Sequence, residues 1–414
     1  MYDWVVLWDW VQIAARWVHV VTAMAWIGSS FYFIALDLGL RRDVPLPPGA
    51  SGEEWQVHGG GFYHIQKYMV APAALPDHLI WFKCESYSTW LSGFVMLVLV
   101  YYMGAQIYLI DPAVMDLSVG QAVAISLASL AFGWVAYTTI CRVFMNANQT
   151  AVMVALFVVL VGMSWFYAHV FSGRAALLHL GAFTASIMSG NVFFVIMPNQ
   201  RVVVADLKAG RTPDAKYGKI AKQRSTHNNY LTLPVLFLML SNHYPLVFAT
   251  QYNWLIASLV FLMGVTIRHW FNTRHAKKGN PHWTWAATVI LFLLIAWLST
   301  AAMRTTPAGD EGAQLSGASL VYASAQGFDD VVGIVQGRCS MCHAAEPAWE
   351  GMYWAPKGVV LETPAQIAHE ARRIYMQAGL SHAMPPANLS YMEPAERAAI
   401  VDWFRSAGQG GVDG

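Results

Sequence analysis

The run Cys339-Ser340-Met341-Cys342-His343 sets two thiols and an imidazole within five residues. At this spacing the thiols can reach the two vinyl groups of a porphyrin while the adjacent His offers its iron an axial nitrogen, which is the pattern of covalent haem c attachment. The other chemistry open to a C-x-x-C pair is zinc or dithiol exchange. Zinc would need two more Cys or His ligands at matching spacing, and none is evident. Two methionines compete for the second axial position. Met384 stands in Ala383-Met384-Pro385-Pro386, where the prolines forbid helix and would hold a thioether on an extended loop. Met352 is the rival, but it follows His343 too closely for an easy reach across the ring.

These groups need elements to position them. Glu393-Pro394-Ala395-Glu396 is expected to start a helix that carries Ile400, Trp403 and Phe404 on one face, a suitable back wall for a macrocycle. Residues from about 322 to 408 thereby resemble a class I cytochrome c domain. Before it, Thr305 to Gln326 is rich in Gly, Ala and Ser and reads as a flexible tether. The expected organisation is a membrane domain over 1–304, a linker over 305–321 and a cytochrome c domain over 322–414.

The membrane assignment rests on composition. Of 414 residues, 56% are hydrophobic and 12% charged, and mean hydropathy is positive. Such values describe a membrane protein with a modest soluble part. A net charge of +1 argues against a nucleic-acid partner. Cys84 and Cys141 are too far apart in the chain to suggest a disulfide framework. Asp3 and Asp9 stand where a signal peptide would be basic, so the first apolar stretch reads as a retained span. Eight stretches are long enough to cross a hydrocarbon core, near 11–36, 88–110, 118–142, 150–171, 176–198, 229–248, 253–272 and 284–303. The expected fold class is all-α: an eight-span helical bundle followed by a periplasmic cytochrome.

Basic residues set the orientation. Arg41, Arg42, Lys67, Lys83, Arg142, the group from Arg201 to Arg224, and Arg268 to Lys278 all fall in alternate loops, whereas the opposite loops hold only Arg174. The positive-inside rule then puts the N-terminus and the C-terminal domain outside, in the periplasm of a bacterial inner membrane. The long inner segment 39–87, with Gly59-Gly60-Gly61, Trp55, Phe62, Tyr63, Trp81 and Phe82, suggests an ordered cap at the interface.

Ionisable side chains inside spans usually face a cavity, a partner or a cofactor. His19 and His179 lie on faces rich in small residues and are candidate ligands of a haem b, with His243 as a weaker one; packing or hydrogen bonding is the alternative for each. The pattern around His19 also resembles the first span of membrane protoporphyrinogen oxidases and copper-resistance proteins, some of which bind haem b. His227 and His243 bracket one span about 24 Å apart and cannot share a metal. At the inner face, Asn199-Gln200-Arg201 and Gln223-Arg224 with His227-Asn228-Asn229 gather amides beside guanidinium groups. That set suits a flat, polar, anionic heterocycle; the alternative is that the arginines are membrane anchors and the amides cap helices.

The combined pattern resembles one family. It comprises Trp26-Ile27-Gly28-Ser29-Ser30-Phe31-Tyr32, Trp81-Phe82-Lys83 through Gly93, Asn191-Val192-Phe193 through Arg201, and His227-Asn228-Asn229-Tyr230 through Pro245. With the order of parts, this is similar to the bacterial integral-membrane, cytochrome c-fused urate oxidases. The resemblance implies oxidation of urate to 5-hydroxyisourate in purine degradation, with electrons passing through haem c to a soluble cytochrome c or terminal oxidase rather than directly to oxygen. His227, Asn228, Asn229 and Arg224 are the expected catalytic group, and Asn199, Gln200, Arg201 and Gln223 the expected substrate contacts. Cys339, Cys342, His343 and Met384 would hold the haem c. Two rivals predict different features: a haem–copper oxidase needs adjacent His-His ligands, absent here, and a non-catalytic quinol or dehydrogenase conduit would need only one anchoring helix.

Overall fold

The computed structural model describes residues 4–69, 72, 75–144, 149–301, 315, 317–350, 352 and 355–409. It divides into two compact units, Met1–Ala302 and Met303–Gly414.

The first unit is built on long helices: α1 (Trp4–Gly39), α2 (Cys84–Met96), α3 (Val119–Val143), α4 (Gln149–Ala168), α5 (Gly173–Lys208), α6 (Ala215–Ser241), α7 (Asn253–His275) and α8 (Trp283–Ala301). Six of them, all but α2 and α6, are long and apolar enough to cross a membrane. The exceptions have local causes. α2 leaves regular geometry after Met96 and runs into a wide π turn, Leu97–Tyr102, short of the expected end near 110. α6 begins at Ala215, well before the expected start near 229, because the Asp214 carboxylate caps it by accepting from the Lys216 N–H at 2.8 Å. Its first half therefore carries Lys216, Lys219, Lys222 and Arg224.

The all-helical expectation needs one correction. Within 39–87 the chain forms an antiparallel hairpin, β1 (Ala50–His58) with β2 (Gly61–Tyr68). Gly59 and Gly60 form its turn with φ of 59° and 80°, the left-handed conformation that a two-residue hairpin turn requires. The hairpin is fastened to the end of α1. Tyr32 donates to Gln56 Oε1 at 2.7 Å, Lys67 pairs with Asp37, and Arg41 and Glu53 exchange backbone hydrogen bonds.

Small residues let α3 and α5 meet closely. A Cβ on Gly190 would lie 2.6 Å from Trp134 Cε3, and one on Gly133 the same 2.6 Å from Phe183 Cε2, contacts that no side chain could make without displacing the rings. Around this seam Tyr137, Tyr167, Phe171, Phe183 and Ile187 are wholly buried. Gly190→Val should cost about 1–3 kcal/mol by overpacking, read as a lower melting temperature of the detergent-purified chain. A second feature of α5 is a π turn at Asn191–Ile196 that directly follows Gly190.

The second unit comprises α9 (Gly317–Ala323), α10 (Phe328–Arg338), a single turn Ser340–His343, α11 (Pro364–His369), α12 (Ala371–Ile374, continuing as a π turn to Leu380) and α13 (Pro394–Gln409). Thr363 starts α11 with a capping box that includes Gln366. Ile400, Trp403 and Phe404 are buried on one face of α13. Phe404 stacks on Tyr375 with ring centres 4.2 Å apart, and Trp403 Nε1 donates to the Tyr322 carbonyl at 2.9 Å. Most of the expected linker 305–321 lies outside the described residues, and helix has resumed by Gly317.

Candidate functional site

α3, α5 and α6 bring together a buried polar cluster in the first unit. Tyr137, on α3, places its hydroxyl 2.8 Å from His227 Nδ1 on α6. Asn191, the first residue of the π turn, donates from Nδ2 to the Tyr137 hydroxyl at 3.0 Å and to Asn228 Oδ1 at 2.9 Å. Asn228 donates in turn to the Met188 carbonyl at 2.9 Å. On its other nitrogen His227 meets Gln149 Oε1 at 3.1 Å, and Gln223 donates to that same oxygen at 3.1 Å. A π turn widens the helix by one residue and is common at functional positions; here it turns the Asn191 amide inward, toward α3 and α6.

Arg224 completes the cluster. Its guanidinium lies over the Tyr137 ring, 4.8 Å from the centre, and the residue is only 7% exposed. Nε and Nη1 of Arg224 and Oδ1 of Asn191 are buried with no hydrogen-bond partner among the described residues. A buried cation without a carboxylate is costly. The unmatched set, two charged donors and one acceptor, is complementary to an anion that also carries an N–H.

The expected residues divide among different places. Arg224, His227 and Asn228 belong to this cluster, and Gln223 joins through Gln149. Asn229 faces α7 instead, where its Oδ1 accepts from Arg268 Nη2 at 3.2 Å and Asn272 Nδ2 at 2.9 Å. Asn199 is half-buried, and Gln200 and Arg201 are exposed, on α5 beyond the π turn; the structure does not bring them into the cluster. Tyr137, Asn191 and Gln149 are members that motif reading did not assign a role. The signal for two of them was a phenol and an amide placed in apolar spans.

The histidines considered for haem b sit in three different settings. His179 is fully buried, with Nδ1 2.8 Å from the Ala175 carbonyl and Nε2 2.9 Å from Ser126 Oγ. Both nitrogens are engaged, so a haem iron does not fit His179 in this arrangement. The His19 ring packs against Gly93, where a Cβ would come within 2.8 Å of Cε1, and its Nδ1 contacts the Thr89 carbonyl at 3.1 Å. His243 is exposed just past the end of α6.

In the second unit, His343 Nδ1 donates to the Val359 carbonyl at 2.8 Å. That bond fixes the tautomer and ring orientation and leaves the lone pair on Nε2, the state a metal-ligating imidazole needs. Cys339 and Cys342 are free thiols, and burial pushes the Cys339 thiol up to about 11. Arg338 grips Glu396 at 2.9 Å and the Ser390 carbonyl at 2.9 Å, tying the start of this turn to α13. Arg397, also buried, donates from Nη1 to the carbonyls of Ala378 at 2.6 Å and Met384 at 2.8 Å. The Met384 backbone is thus held from two sides, since its own N–H reaches the Gln377 carbonyl at 2.8 Å.

Long apolar helices enclosing a polar interior site are compatible with a multi-pass membrane protein. Within that class, residues 5–299 match the urate oxidase N-terminal family, and the chain belongs to it. No curated protein and no solved structure gives a significant match.

Proposed function

We propose that this protein oxidises urate to 5-hydroxyisourate within its helical unit and delivers the electrons to a respiratory acceptor through a haem c carried by its C-terminal unit. The observation that carries this reading is the unmatched polar set around Arg224 in a chain of the urate oxidase N-terminal family. Urate at neutral pH is a planar monoanion with ring carbonyls and N–H groups. Arg224 supplies charge-assisted donors to an anionic edge, Asn191 accepts from a ring N–H, and Asn228 holds Asn191 in place. His227 takes up a proton as the substrate is oxidised.

In the second unit Cys339 and Cys342 would hold haem c through their thiols, and His343 and Met384 are the side chains that would meet its iron. Bound there, the group supplies a one-electron acceptor. The chain's own residues set its surroundings: the Val359 carbonyl orients His343, and Arg397 pins the loop that carries Met384. Arg397→Met should destabilise this unit by about 2–3 kcal/mol, since it leaves the Ala378 and Met384 carbonyls unmatched, read as a lower melting temperature. We further propose that α2 and α6 also span the bilayer, giving eight spans with the cytochrome in the periplasm. Protease added to intact spheroplasts should then remove the C-terminal unit.

Urate added to membranes in the absence of oxygen tests the whole reading. The c-type alpha band should rise as urate is consumed. A band that stays oxidised would leave the chain as a conduit for other donors and refute the enzyme.

A further inference from the structure

The hydrogen-bond directions around Tyr137 are fixed by chemistry. The carbonyl oxygen Oε1 of Gln149 can only accept, so His227 Nε2 carries the hydrogen in that 3.1 Å contact. Nδ1 is therefore a bare lone pair, and the Tyr137 hydroxyl donates to it at 2.8 Å. The phenol oxygen in turn accepts from Asn191 at 3.0 Å. These assignments follow from the network, with the amide orientations that it satisfies. Tyr137 is wholly buried and His227 nearly so, whereas Gln149, at the start of α4, is exposed. One directional chain thus runs from the interior, beside Arg224, to the surface.

His227 cannot meet a ligand with either nitrogen while both are engaged. The phenol oxygen has a second lone pair, beside Arg224, and is the group left to face one. We infer that Tyr137 is a proton relay, passing a proton from the bound substrate to His227, which releases it at the surface beside Gln149. The inference rests on urate binding at Arg224. The step moves protons only: a substrate N–H or water O–H bond breaks and a new phenol O–H forms. The old phenol O–H breaks as Nδ1–H forms, and the imidazolium then loses its Nε2 proton to water. The electrons leave separately. The titratable and charged groups that face the phenol are His227 and Arg224 from α6 and Cys141 from its own helix; Asn191 is its neutral neighbour from α5.

The test uses the full chain in detergent, with urate binding measured by equilibrium dialysis and turnover by reduction of added ferricytochrome c. Tyr137→Phe should keep the urate Kd within about threefold while kcat falls about a hundredfold or more, the usual size of a lost acid–base group. Turnover within threefold of the parent overturns the relay, as does a loss that lies entirely in binding. If the variant does not fold, 3-fluorotyrosine at position 137 preserves shape but makes the phenol more acidic. A relay then shifts the pH profile of kcat toward lower pH, and an unmoved profile sinks it. A parent chain that binds no urate refutes the urate reading itself and is thereby told apart from a failed relay.

Discussion

Arg224→Gln is expected to reduce kcat/KM for urate by about a hundred- to a thousandfold, because it removes the guanidinium charge from the polar cluster. Deleting a charged donor from a buried pair with a ligand costs roughly 2–5 kcal/mol, and a neutral amide recovers little of it. The same change should not harm the fold. The guanidinium sits at 7% exposure, with Nε and Nη1 unmatched among the described residues, so its removal relieves a desolvation cost instead of breaking a bridge. The melting temperature of the ligand-free variant should therefore equal or exceed that of the parent while urate binding by dialysis is lost. An arginine that merely anchors the helix at the interface would show the opposite: unchanged binding and an unchanged or lower melting temperature.

The largest effect on electron delivery is expected from the double change Cys339→Ser with Cys342→Ser. Without thiols the pyridine-haemochrome spectrum of the purified chain should lose its c-type signal. Urate-dependent reduction of an external acceptor should fall to background, and urate binding should persist, because the cluster proposed to bind it lies wholly in the first unit. His343→Ala is a finer probe. It leaves both thiols to hold the group but removes the imidazole that the Val359 carbonyl orients, so colour should remain while the spectrum shifts and delivery fails. Loss of urate binding in either variant would mean that the two units do not divide the labour as proposed.

Most long helices were legible because an apolar run in this chain has one outlet, a helix that satisfies its own backbone. The hairpin was not, although Gly59-Gly60 is the dipeptide its turn needs. The strands flanking that turn carry Trp55, His64 and Tyr63 on an unpatterned background, so period-two alternation gave no clear signal. For the site, Arg224, His227 and Asn228 could be named from local sequence because they share one turn of α6. Tyr137 and Gln149 could not. They reach the cluster from α3 and α4, and nothing local marks which of many polar side chains a packed bundle will turn inward. Asn199, Gln200 and Arg201 fall outside the cluster for a related reason: they follow Asn191 in sequence, but the π turn rotates what comes after it.

That wide turn has a consequence for tolerance to change. An α-helix advances about 100° per residue, so the surplus residue in Asn191–Ile196 sets the phase between the two halves of α5. Excising one residue downstream of Asn191 would swing the segment from Met197 to Lys208 by about a quarter turn, moving its half-buried side out of register with the helix it packs against. Point substitutions along that stretch should be borne far more readily than a one-residue deletion, and the length of the chain between Gly190 and Met197 becomes a quantity that selection must hold constant.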